Sequence, residues 1–455
     1  MAMAGGQESQ HGQWSSRWVF IMAATGSAVG LGNIWRFPYV TGENGGGAFV
    51  LLYLTCIALV GVPIMMAEVM IGRRGRQSPL NTMKKLAHDE ELSPNWRFLG
   101  GAGMLAGFLI LSFYSVVAGW SLAYVFYVGG GVFNDATVAV SQNEFAALTG
   151  SAERLLAWHT LFMVMAVAVV ARGVQHGLEK AVKGLMPALF VLLLVMVGYA
   201  MGNGDFKGAI DYLFSPDFSK LDADAVLAAM GQAFFSLSLG MGAIMTYGAY
   251  LPRSESIPTT TIIIALADTG VAILAGLAIF PIVFGYGLEA GSGPGLVFVT
   301  LTIAFGQMPG GQIFGCLFFM LLTVAAWTSA ISLLEPVTAW LVELRNWSRR
   351  RAASVAGMTA WVFGIGSLLS FNVLADFKLA DRTFFDWTEF FSTTIMLPLG
   401  GLFIAIFAGW RLTRESTIDE LDIGSGFRHH VWLNLVRWLA PAGVTVVFLN
   451  ALEII

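Results

Sequence analysis

Eleven stretches of mostly apolar residues follow one another along the chain, with short polar connections between them. They run at about 17 to 40, 45 to 70, 97 to 128, 155 to 171, 178 to 200, 226 to 250, 258 to 287, 310 to 342, 352 to 372, 386 to 409 and 430 to 453. As a helix each is long enough to cross a hydrocarbon core of about 30 Å, the stretch at 155 to 171 only just. The pattern predicts an all-α polytopic membrane protein. Two of the stretches are interrupted. The first carries GSAVGLGNIWRFPYVTGENGGGAF from Gly26 to Phe49, with Gly26, Gly30, Gly32, Asn33, Arg36 and Pro38 inside an otherwise apolar run. Glycine weakens a helix and proline removes a donor. Backbone left unpaired in hydrocarbon costs several kcal/mol per group, so such a break survives only where it lines a cavity or binds something. The sixth stretch repeats the feature as SLSLGMGA, Ser236 to Ala243.

Interrupted helices at matching places in two halves point to a binding site between them in a secondary transporter. Stretches one to five, about 17–200, and six to ten, about 226–409, make two such halves, and the stretch at about 430–453 is an addition. An odd number of helices per half forces the halves to be inverted relative to each other. Either glycine patch alone would more simply let helices pack closely; their paired placement argues against that reading.

Composition agrees, since 56% of the 455 residues are apolar and 12% charged, about half the charged fraction of a soluble protein. The net charge of −4 is uninformative, but the placement of basic residues is not. Eighteen Lys and Arg fall at the N-terminus and in alternate connections, against five in the others. This asymmetry predicts a cytoplasmic N-terminus and an external C-terminus in the cell (inner) membrane. Cys56 and Cys316 lie in apolar stretches and make no disulfide framework. Because Asn33 and Arg36 interrupt the first stretch, it reads as a retained span rather than a cleaved signal. Two outer connections have character of their own: Asp205 to Asp224 contains aromatics and Pro216, and Gly291 to Pro309, rich in Gly and Pro, is suited to folding back into a vestibule.

A break near Ala28 to Gly30 frees carbonyls on one side and amides near Leu31 and Gly32 on the other. Carbonyls suit a small hard cation, and amides at a positive helix end suit a carboxylate. One break thus fits a zwitterion together with Na⁺, and Phe235, Ser236 and Ser238 offer the same chemistry at the second.

GSAVGLGNIWRFPY, ENGGGAF, GQAFFSLSLGMGAIMTY and AAWTSAISLLEP, in this order and spacing, resemble the neurotransmitter:sodium symporter family over almost the whole chain. The resemblance implies a LeuT-like 5+5 inverted repeat with broken helices 1 and 6, and an eleventh helix as in several bacterial members. It implies sodium-coupled import of a neutral, hydrophobic amino acid by alternating access. A first Na⁺ would lie at the carbonyl of Ala28 with Asn33, Ser236, Asp268 and the substrate carboxylate. A second would use the carbonyls of Gly26, Val29 and Ala325 with the hydroxyls of Thr328 and Ser329. Substrate would touch Ala28, Gly30, Leu31, Gly32, Ile110, Tyr114, Phe235, Ser236, Ser238, Met241, Ser329 and Leu333. Gly30 stands where monoamine-carrying relatives have Asp, so the substrate is expected to bring its own carboxylate, which Tyr114 would hold. The apolar lining, with the adaptable Met241, favours aliphatic or aromatic side chains.

Chloride-dependent relatives commonly carry Asn at position 268 and a neutral residue one helical turn on. This chain has Asp268, followed by Ala272, with Tyr53, Gln232 and Ser236 around it, and a fixed carboxylate implies chloride independence. It could also carry a proton in the return step. Arg36 and Asp386 are expected at an outer gate, and Trp14, Tyr250 and Glu343 at an inner one. His11 stands where relatives usually have Arg, and Arg17 is an alternative partner there.

An enzyme is not indicated. The glycines are not GxGxxG after a strand, and His88, His159, His176, His429 and His430 have no neighbours at metal spacing. The expected partners are a small amino acid, sodium ions and the lipid bilayer, not nucleic acid. A sodium-dependent amino-acid sensor or a substrate-gated channel remains open as an alternative on the same fold.

Overall fold

The structure is a computed structural model and describes residues 12–288 and 295–451. Every regular element among the described residues is helical. Among the described residues nine helices are long and apolar enough to cross a membrane: Gly47–Gly75, Pro94–Gly129, Ala152–Val170, Val174–Asn203, Ile257–Gly285, Gly311–Arg345, Arg349–Leu369, Phe384–Arg411 and Phe427–Asn450. A tenth span is the pair Arg17–Ala28 and Gly32–Glu43, bent by 52°. The remaining apolar stretch, the sixth, holds two shorter helices, Ala223–Ser236 and Ala243–Ala249. The apolar stretches of the sequence are thus helical, and the first and sixth are the broken ones.

The two breaks differ in construction. In the first span only Val29, Gly30 and Leu31 intervene, with Val29 extended at φ −71°, ψ 110°. In the sixth span the chain unwinds over Leu237 to Gly242, with positive φ at Ser238 (54°), Gly240 (77°) and Gly242 (74°). Glycine adopts that region without penalty, and at 240 nothing larger fits, since a Cβ would lie 2.6 Å from the carbonyl oxygen of Leu397. Ser238 pays about 1–2 kcal/mol for the same conformation. It is held there because its hydroxyl donates to the carbonyl of Ser27, 2.9 Å away across the first break. A buried carboxylate steadies the second break, Glu68 of the second span accepting from the amide of Gly240 at 2.5 Å.

The connections are ordered too. Pro79–Asp89 and Arg414–Leu421 are helices at one end of the bundle. At the other end lie Val138–Thr149, Phe206–Phe214 and Leu296–Gln307. The connection expected to fold back does so over its described part: Phe298 is buried and its ring lies 6.2 Å from Trp35, 5.7 Å from Trp120 and 5.2 Å from Tyr124. Residues 291–294 of that expectation, and His11, lie outside the described residues.

Candidate functional site

The breaks of the first and sixth spans meet at the centre of the bundle and bound a narrow cleft. It is lined by Ser27, Ala28, Gly30, Leu31, Gly32, Ile110, Tyr114, Phe235, Ser238, Met241, Ser329 and Leu333. Every residue expected against substrate is in that lining except Ser236, which faces the neighbouring polar cluster. Ser27 was not anticipated; its hydroxyl donates to Ser332 at 2.8 Å, and Ser332 in turn to the carbonyl of Ser329 at 2.8 Å. The amide of Leu31 donates to the Tyr114 hydroxyl at 3.2 Å, so both groups stand together on one wall of the cleft. Gly30 is required by that proximity, because a Cβ there would meet Ser329 Oγ at 2.5 Å and Tyr114 Oη at 2.8 Å. In this conformation about 20 Å³ of the cleft is open.

Beside the cleft lies a fully buried polar cluster. Asn33 Nδ2 donates to Asp268 Oδ1 at 2.7 Å, to the Asp268 carbonyl at 3.1 Å and to Ser236 Oγ at 3.1 Å. Ser236 donates to the other carboxylate oxygen of Asp268, and Tyr53 Oη lies 3.1 Å from Ser236 Oγ. The Asn33 Oδ1 accepts from the Gly30 amide at 3.2 Å, which ties the cluster to the first break. A full carboxylate in a dry cluster without a cationic side chain is costly unless a cation joins it. Gln232 closes the cluster, donating to the carbonyl of Gly32 at 2.8 Å.

A second group of oxygens gathers on the far side of the first break. Ser329 Oγ lies 3.5 Å from the Gly26 carbonyl, 3.3 Å from that of Ser27 and 3.2 Å from that of Val29. Thr328 Oγ1 lies 3.0 Å from the Ala325 carbonyl. All five residues expected to share an ion are thus brought together, with no carboxylate among them.

The gate residues fall less simply. Arg36 sits over the ring of Phe235, 5.2 Å from its centroid, and makes no ion pair with Asp386. The Asp386 carboxylate accepts from the amide of Thr383 at 2.9 Å and from its hydroxyl at 2.8 Å, capping the helix that starts there. At the opposite end Trp14 donates its amide to the Tyr250 carbonyl and its indole to the Tyr247 carbonyl, each at 3.1 Å. Glu343 is engaged by Ser78 and by Asn81, the latter at 2.7 Å. Tyr250 turns its hydroxyl instead to Glu335 at 2.6 Å, and Glu335 pairs with Arg349. Arg17 reaches Glu255 at 3.9 Å. Sequence reasoning missed Glu335 and Glu68. The available signal was a lone acidic residue deep in an apolar run, which is costly unless partnered.

Two facing helix breaks that gather carbonyls, hydroxyls and a carboxylate around a small cleft are the arrangement of a secondary transporter. The chain belongs to the sodium:neurotransmitter symporter family, whose sequence model matches residues 11–131 and 135–455. It is 37% identical over 447 residues to the uncharacterized sodium-dependent transporter YhdH of Bacillus subtilis, covering 97% of this chain and 98% of that protein. It is 24% identical to the human sodium- and chloride-dependent GABA transporter 2, over 97% of this chain and 80% of that one. Its fold matches the crystal structure of MhsT in complex with L-phenylalanine with a TM-score of 0.89 and 44% identity, covering 97% of this chain and 99% of that one. The fold is therefore LeuT-like and the protein a multi-pass membrane transporter, not an enzyme.

Proposed function

We propose that the protein imports a neutral, hydrophobic amino acid together with Na⁺, without need of chloride, by alternating access between two inverted halves. The observation that carries this reading is the pair of oxygen clusters on either side of the first break, one with a carboxylate and one without. The first ion would be held by the Ala28 carbonyl, Asn33, Ser236 and Asp268. The second would be held by the carbonyls of Gly26, Val29 and Ala325 with Thr328 and Ser329. The substrate carboxylate would sit against the Leu31 amide and the Tyr114 hydroxyl and complete the first ion's shell. Each would then raise the other's affinity by the same factor, which is coupling. The apolar walls at Ile110, Phe235, Met241 and Leu333 support a hydrophobic side chain, and MhsT, similar over its whole length, holds L-phenylalanine.

Chloride independence rests on Asp268, whose charge lies where an anion would otherwise balance the first Na⁺. The basic end, with Trp14, Tyr250 and Glu343 at its mouth, would be cytoplasmic, and Arg36 with Asp386 would draw together at the outer end once substrate is bound. Uptake of radiolabelled leucine, phenylalanine and tryptophan into proteoliposomes tests this directly. Accumulation should require an inward Na⁺ gradient, persist when gluconate replaces chloride, and vanish in Asn33→Ala. Binding without accumulation would instead favour a sensor, gradient-independent leakage a channel, and a chloride requirement would remove the role given to Asp268.

A further inference from the structure

We infer that the protein carries an anionic-phospholipid site in the groove between the spans Ala152–Val170 and Arg349–Leu369, the headgroup phosphate held by Arg172 and Arg350 and an acyl chain lying along Val164, Ala168, Met358 and Trp361. The groove is about 770 Å³ and open to the side of the bundle; no carboxylate lines it. Val164 and Met358 are 58% and 61% exposed on its walls, as suits residues that meet lipid chains rather than protein. Its length fits one chain, since the eleven residues from Arg350 to Trp361 rise about 16 Å at 1.5 Å per residue, close to the half-thickness of a bilayer's hydrocarbon core.

The charges at its mouth set the headgroup. Three consecutive arginines begin the span, and each has a different fate. Arg349 pairs with buried Glu335, and Arg351 lies 4.4 Å over the ring of Trp347. Arg350 turns to the groove, exposed and with no side-chain hydrogen bond or ion pair among the described residues. Arg172, at the end of the facing span, is likewise exposed and unpaired. It also borders a neighbouring hollow that holds His176 and Lys180, so the field at the mouth is positive on both sides. Guanidinium groups bind phosphate in a forked geometry, and basic pockets between membrane helices at the positive face are the usual seats of acidic headgroups. An apolar channel one leaflet deep, ending in two unpaired guanidiniums, matches a phosphate joined to a long chain better than either part alone.

The full-length protein in nanodiscs of phosphatidylglycerol mixed with phosphatidylcholine provides the test, read by native mass spectrometry after mild delipidation and by melting temperature. The wild type should retain phosphatidylglycerol in preference to phosphatidylcholine. Arg172→Gln with Arg350→Gln should lower that retention about thirtyfold, two charges each at the usual surface attraction of a basic side chain. Ala168→Trp, which fills the groove and leaves both arginines, should lower it as well. Arg345→Gln with Arg428→Gln removes the same charge from elsewhere and should change nothing, which guards against a mere loss of net charge. Equal retention of the two lipids, or retention indifferent to Ala168→Trp, would overturn the proposal. So would stabilisation by inorganic phosphate alone that matches the lipid's, or a dimer that Ala168→Trp dissolves, since the groove would then seat an ion or a second copy.

Discussion

The two ends of the bundle are closed by different chemistry. At the end that carries Phe298 the contacts are aromatic: that ring is surrounded by Trp35, Trp120, Tyr124, Phe145 and Phe319 at centroid distances of 5.2 to 6.2 Å, and Arg36 lies over Phe235. At the end that carries Trp14, ring contacts to Tyr247 and Tyr250 at 5.3 and 6.0 Å are joined by directional ones: backbone and indole hydrogen bonds to the sixth span, and Tyr250 on Glu335 on Arg349. Arg73 adds a further buried pair with Glu420 at 2.5 Å, both side chains under 5% exposed. Aromatic contacts fall off gently with displacement and tolerate sliding. Buried ion pairs hold only near one geometry and leave a stranded charge when broken. For the alternating access proposed above, the first kind of closure suits graded movement over the cleft and the second an all-or-none latch.

The largest effect should come from removing the latch. Glu335→Ala leaves Arg349, 17% exposed, without its fully buried carboxylate partner, and losing one partner of such a pair costs up to about 3–5 kcal/mol. A thiol at Ser332→Cys, in a protein with Cys56 and Cys316 replaced by Ala, lies between the latch and the cleft and reports opening of that end. Its labelling should quicken by two to three orders of magnitude, and Glu335→Gln should not restore the wild-type rate. Labelling that stays slow would mean the latch does not hold this end shut.

Truncating the aromatic plug should cost somewhat less. Phe298 is 1% exposed, and Phe298→Ala should lower stability by about 3 kcal/mol, read as a fall in melting temperature. Here the partial replacement Phe298→Leu should recover most of the loss, because apolar volume rather than direction is what the plug supplies. If Phe298→Leu were as damaging as Phe298→Ala, the contrast between the two ends would fail.

A smaller effect is expected at Arg36. A cation over a ring is worth about 0.5–2 kcal/mol, so Arg36→Gln and Phe235→Leu should each speed amino-acid dissociation several-fold. A double-mutant cycle should show them coupled, the pair together costing less than the sum. Full additivity would mean the observed stacking has no part in retaining substrate.

Much of this was legible in the sequence because membrane burial makes its exceptions visible. A glycine cluster beside Asn33 and Arg36, or Asp268 amid isoleucines and alanines, stands out where every neighbour is apolar. The long apolar spans followed from length and hydropathy, and the residues around the cleft from the resemblance to the family. What stayed hidden were pairings across the fold. Glu335 and Arg349 are fourteen residues apart in sequence but on two spans, and no periodicity says that a helix-start arginine turns back to meet the preceding span. Nor could the sequence show that Asp386 is occupied as the third residue of a helix begun by Thr383, since the same carboxylate serves a cap or a gate equally well. The unwinding of the sixth span was visible through Gly240 and Gly242, whereas its dependence on Glu68, on the second span, was not.

The smallest effect lies within the directional end itself. Arg17 and Glu255 approach to 3.9 Å with side chains 33% and 23% exposed, so water and salt screen them and their coupling should be at most about 1 kcal/mol. In a double-mutant cycle on the Ser332→Cys labelling rate, that coupling should shrink as choline chloride is raised at constant Na⁺, because the screening length falls below about 10 Å above 0.1 M salt. The Glu335–Arg349 coupling, measured the same way, should move far less, since Glu335 is fully buried and Arg349 only 17% exposed. Two pairs at one end of the molecule would then separate by salt alone. An Arg17–Glu255 coupling as large and as salt-resistant as the buried one would show that the latch extends to the surface rather than stopping at Glu335.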